Sequence, residues 1–95
     1  MATKAQHDPG YLPLPDFLKE LREKAGLTQR DIGQKLGKPQ SWVHNCETGN
    51  RRVDVGEFAR WAVACGVDPG GAFSRYLEVA PVSSTGGRKP RRPKE

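Results

Sequence analysis

Only Lys38 and Pro39 stand between Gly37 and the next helical pattern, and that short gap constrains the fold more than any other feature. Ahead of it, in "TQRDIGQKLG", Thr28 fits a helix N-cap, Asp31 its capping-box partner and Gly37 the stop. After it, "PQSWVHNCETG" predicts a helix over 39–47, halted by Thr48-Gly49. A chain that ends one helix and begins another within so few residues must turn back sharply, and the two helices then pack as a helix-turn-helix pair.

The same punctuation recurs on both sides. A helix begins near Pro15, with Asp16 at its electropositive end, and Phe17, Leu18, Leu21 and Ala25 line one face before Gly26. In the helix after Thr28, Leu27, Ile32 and Leu36 form the inner stripe. Asp54 and Glu57 make a second capping box for "VGEFARWAVACG", with Phe58, Trp61 or Ala62, and Cys65 inward. Asp68-Pro69 opens a fifth helix carrying Phe73, Tyr76 and Leu77, weakened by Gly70 and Gly71. No stretch alternates as a strand would. The expected architecture is all-α with five helices over residues 14–79, between a flexible arm (1–13) and a disordered basic tail (80–95).

At 95 residues and 35% apolar, the chain can bury one modest core. Cys46 and Cys65 fall within helical apolar patterns without CxxC spacing, as small buried hydrophobes in a reducing compartment. The sequence has no apolar run of membrane-spanning length and no signal-peptide pattern at its N-terminus, so a soluble, cytoplasmic protein is expected. The net charge of +5 is uneven: "RKPRRPKE" at 88–95 holds five basic residues and one acid, and the preceding 87 residues balance 11 basic against 10 acidic. Between Thr28 and Arg52, five basic residues face two acidic ones. Positive charge therefore concentrates around the helix that follows Pro39, which is better evidence for a polyanionic partner than the overall charge.

That helix has an unusual face. At 100° per residue, Gln40, Ser41, His44, Asn45 and Thr48 share one side, all uncharged hydrogen-bonding groups. Trp42, Val43 and Cys46 gather opposite, which places Trp42 at the edge of the core. A major groove admits one helix and offers a donor and acceptor code, which amides and hydroxyls read without binding every nearby phosphate. Lys38, Arg51 and Arg52 flank this face, with Thr48 and Asn50 as neutral partners for the backbone. Catalysis is not expected: His44 and Cys46, two residues apart, point to different sides of a helix. His7, His44, Cys46 and Cys65 lack the spacing of a metal site, and no cofactor is expected.

"LKELREKAGLTQRDIGQKLGKPQSWVHNCETG" resembles the Cro/C1-type, lambda-repressor-like (XRE-like) helix-turn-helix DNA-binding family. The resemblance rests on Arg22, Leu27-Thr28-Gln29, Leu36-Gly37, Gln40-Ser41, Val43, Glu47 and Gly49, and spans about Phe17 to Pro69. It implies Gln40, Ser41 and Asn45 as base readers. It implies Gln29 as a phosphate contact that also steadies Gln40, helped by the free N–H groups after Thr28. It makes Arg22 and Glu47 an ion pair bridging the first and third helices. His44, on the polar face, is either a phosphate contact or an idle group. The resemblance further implies a homodimeric transcriptional repressor on a near-palindromic double-stranded DNA operator. The rival is an antitoxin-type or phage or plasmid interaction module with a small protein partner, for which Tyr11 to Leu14 would be the apolar docking segment. Gly33 departs from the usual Ala, at about 1 kcal/mol of helix propensity. The tail "GGRKPRRPK" has AT-hook-like composition without the central Arg-Gly-Arg-Pro, and reads as a solvated polycation adding salt-sensitive affinity.

Overall fold

A computed structural model describes residues 9–80, and these form five helices with no strand among them. They are α1 (Leu14–Lys24), α2 (Gln29–Leu36), α3 (Gln40–Thr48), α4 (Val55–Ala64) and α5 (Pro69–Val79). Both capping boxes form: the Thr28 hydroxyl accepts from the Asp31 N–H while the Asp31 carboxylate accepts from the Thr28 N–H, and Asp54 and Glu57 do the same. Gly26, Gly37, Gly49 and Gly66 close four helices at positive φ, where a side chain would be strained. Pro39 is the N-cap of α3, one residue outside the expected start, and the helix runs on to Thr48. Gly70 and Gly71 do not prevent α5, because Asp68 accepts from the Gly71 N–H and Pro69 pre-sets the first turn.

The core is built from one face of every helix. Leu18, Ile32, Val43, Cys46, Trp61 and Ala62 are withdrawn completely from solvent. α1 and α2 each pack against α3, and α4 packs against α2 and α5. Trp61 resolves the alternative left at "RWA": both it and Ala62 point inward, and the indole N–H donates to Leu18 O at 3.1 Å. Ala25, expected in the α1 stripe, is an exposed C-cap residue instead, and Leu14 takes the buried position one turn before Leu18. Phe17, Phe58 and Tyr76 meet in an aromatic cluster, with Tyr76 edge-on to Phe17 at 5.3 Å.

One expectation needs correction. Residues 9–13, assigned to the flexible arm, form turns against the domain, and residues 1–8 lie outside the described residues. Tyr11 packs on the core, its hydroxyl accepts from Val53 N–H at 2.8 Å, and Leu14 is buried. The Tyr11 to Leu14 segment is thus built into the fold, and only Leu12 stays exposed for a partner. Local periodicity could not show this, since the hydrogen bond spans 42 residues. The tail, residues 81–95, also lies outside the described residues.

The helix-propensity cost of Gly33 has a structural reason. The turn passes directly over it: Lys38 N–H donates to Gly33 O at 2.8 Å, and a Cβ at Gly33 would lie 2.7 Å from Lys38 O. That is backbone against side chain, so the turn itself would have to move. Gly33→Ala is therefore expected to lower the free energy of urea unfolding by about 1 kcal/mol or more, although helix propensity alone would raise stability by about that amount. A gain in stability would show that the turn yields freely.

Candidate nucleic-acid interface

The outward face of α3 is positioned by a chain of polar contacts that begins in the interior. Arg22 on α1 and Glu47 on α3 are both buried, and they pair through two parallel bonds, Nε to Oε2 at 2.6 Å and Nη2 to Oε1 at 3.0 Å. The third guanidinium nitrogen donates to Leu27 O at 2.9 Å. The Glu47 hydrogen bond holds the Arg22 pKa even above its usual value, so the guanidinium stays charged. The expected bridge between α1 and α3 is present, and it is bidentate.

From this pair the contacts run outward. Gln29 Nε2 donates to Glu47 Oε1 at 3.0 Å, and Gln40 Nε2 donates to Gln29 Oε1 at 2.9 Å. Charge dictates the direction of this relay. An ionised carboxylate can only accept, so Gln29 must turn its NH2 inward and present its oxygen to Gln40. Gln40 then answers with an N–H and keeps its own oxygen and its second N–H for the exterior. Ser41 and His44 are exposed beside it, and Asn45 is half-buried on the same face. Thr28 and Gln29 sit at the α2 N-terminus, where Asp31 N–H is capped and the N–H groups of Gln29 and Arg30 have no intrahelical acceptor.

The C-terminal end of α3 carries the second part of the surface. Gly49 at φ 84° turns the chain, so that Asn50 and Arg51 N–H both donate to Asn45 O at 3.0 and 3.1 Å. Thr48 is partly spent locally, since its hydroxyl donates to His44 O at 3.0 Å. Arg51 is engaged more firmly: its guanidinium grips Glu57 through two bonds of 3.1 Å and also reaches Arg52 O at 2.6 Å. That pairing holds the Glu57 carboxyl below its ordinary pKa. Arg51 therefore latches the loop to α4 more than it extends towards a ligand, whereas Lys38 and Arg52 are exposed and have no ion-pair partner among the described residues.

Aromatic rings lie under these cations. Trp42 is half-buried and tilted against Trp61 at 6.2 Å, as its place at the core edge implies. Its ring is also a platform, with Lys38 Nζ 5.2 Å and the Arg51 guanidinium 5.0 Å from the centroid. This role has no helical signature in the sequence, because Lys38 precedes the α3 N-cap. Glu57 was read only as a helix cap, and its second use as the Arg51 partner has no local signature.

His44 is exposed while Cys46 is wholly buried, and burial pushes the thiols of Cys46 and Cys65 up to about 11. Among the described residues no group of His, Cys, Asp and Glu gathers to hold a metal ion, and no helix is long and apolar enough to cross a membrane.

The buried pair generates a stability test. Glu47→Leu strands the Arg22 charge in the interior and is expected to cost about 3–5 kcal/mol in urea unfolding, whereas Arg22→Met with Glu47→Leu should cost much less. Equal losses in the single and double variants would mean that the pair's geometry, not the stranded charge, sets stability.

A family profile for a helix-turn-helix domain matches residues 14–72. Among solved structures, the XRE-family like protein from Pseudomonas syringae pv. tomato str. DC3000 is 38% identical, with a TM-score of 0.71 over 82% of this chain and 95% of that one. No curated protein matches the chain. With five helices, the short turn after Gly37 and a capped α2 braced against α3, the chain belongs to the XRE-type helix-turn-helix family of DNA-binding regulators.

Proposed function

We propose that this protein is a cytoplasmic transcriptional repressor that binds a near-palindromic double-stranded DNA operator as a homodimer, with α3 in the major groove. The observation that carries the reading is the relay from the Arg22–Glu47 pair through Gln29 to Gln40. It leaves Gln40 one acceptor and one donor, the pair of groups that matches adenine N6–H and N7. Restraining that side chain before binding saves part of the entropy cost of ordering it, about 0.5–1.5 kcal/mol for a long side chain. Ser41 and Asn45 read neighbouring base edges.

Backbone phosphates are met around this edge. The α2 N-terminus offers Thr28, Gln29 and its open N–H groups to one phosphate. Lys38, His44, Thr48, Asn50 and Arg52 border the groove, and Arg51 acts mainly by fixing the loop that carries Asn50 and Arg52. On α5, Phe73 and Leu77 are exposed four residues apart and suit a dimer contact, while Tyr76 on the same helix is buried. Two copies would present two α3 helices to half-sites about one turn of DNA apart.

Selection from a pool of random duplexes tests this function. The wild type should enrich one two-fold symmetric site with an A·T pair among the directly read positions, and Gln40→Ala should lose discrimination there by about 1–3 kcal/mol. Arg52→Ala should instead weaken all sequences alike and lower the steepness of the salt dependence. A wild type that enriches no site contradicts the proposal.

A further inference from the structure

The one arginine of the α3–α4 loop that is not latched to α4 has a support of its own. The Arg52 guanidinium lies over the Tyr11 ring, 5.9 Å from its centroid. The hydroxyl of the same tyrosine accepts from the N–H of Val53, the next residue, at 2.8 Å, and Val53 is buried. Tyr11 is held in turn from both sides of its own backbone. Its carbonyl accepts from Leu14 N–H at 2.8 Å, and the neighbouring Gly10 carbonyl accepts from the Tyr76 hydroxyl on α5. Burial raises the Tyr11 pKa, so the phenol remains protonated and neutral at working pH.

The way the cation is held matters for what it can do. A guanidinium held over a ring spends none of its N–H donors on a carboxylate, whereas one gripped by a carboxylate, as Arg51 is by Glu57, does. A ring beneath Arg52 therefore restricts a long side chain without using up the groups that would bind a phosphate.

We propose that Tyr11 is a positioning residue for DNA-backbone binding: its ring and hydroxyl hold the 51–53 loop so that Arg52 is presented to a phosphate beside the α3 face. This role rests on the DNA-binding reading of α3. It gives the turn before α1 a function at the interface, although that turn is far from the recognition helix in sequence.

The test measures the penalty of Arg52→Ala in three backgrounds, wild type, Tyr11→Phe and Tyr11→Leu. Each is titrated with a duplex carrying the selected site and with an unrelated duplex, across a salt series. In the wild type the penalty should be about three- to tenfold on both duplexes, with a flatter salt dependence. It should shrink in Tyr11→Phe, which keeps the ring but loses the acceptor for Val53 N–H, and fall below about twofold in Tyr11→Leu. An Arg52→Ala penalty that is the same in every background overturns the role while leaving the DNA reading intact. Should Tyr11→Leu fail to fold, the comparison with Tyr11→Phe decides alone. A wild type that binds neither duplex removes the DNA reading and this role with it.

Discussion

The Arg22 guanidinium and the Glu47 carboxylate, both taken out of water, hold α3 to the rest of the molecule. Removing two charges from solvent costs several kcal/mol per ion, and only a fully satisfied geometry offsets that cost. Here it is satisfied: Arg22 uses Nε and Nη2 on Glu47 and Nη1 on Leu27 O, and Glu47 also accepts from Gln29. No buried side-chain nitrogen or oxygen among the described residues lacks a partner. Apolar contacts of Val43 and Cys46 draw α3 to the core but are not directional. A bidentate pair is directional, and it restricts how α3 turns about its own axis and therefore which edge faces outward.

The same pair decides what the outer edge looks like chemically. Because the relay starts at an acceptor-only carboxylate, each amide along it has one orientation, and the asymmetry emerges at Gln40 as a defined donor and acceptor. The exposed face can then stay uncharged. Positive charge is kept to its margins, where Trp42 lies under Lys38 and Arg51 and Tyr11 lies under Arg52. Neutral hydrogen-bonding groups and cations are thus separated in space, the arrangement that the proposed division between base reading and backbone contact needs.

Much of this was legible in the sequence because it rests on short-range rules. Thr28 with Asp31, Asp54 with Glu57, and Gly26, Gly37 and Gly49 bound the helices through contacts within four residues of one another, and the structure follows them. The neutral face of α3 followed from helical angle alone. What was missed acts over long separations or through one atom used twice. Tyr11 reaches Val53 across 42 residues, so the segment around it looked like an unstructured arm. Gly33 looked like a weak point in α2 until the turn backbone was seen to pass where its side chain would be. Glu57 serves both as cap and as the Arg51 partner, and only the first use has a sequence signature.

The link between the buried pair and the outer face of α3 is Gln29, so the most direct measurement is the base preference of Gln29→Ala at the position proposed for Gln40. Cutting the relay at that amide leaves Arg22, Glu47 and Gln40 in place while freeing Gln40 to rotate. The expected result is a folded protein whose discrimination relaxes at that base pair by about 1 kcal/mol and holds at the positions read by Ser41 and Asn45. An unchanged preference at that pair, in a variant as stable as the wild type, would mean that the interior does not orient the reader.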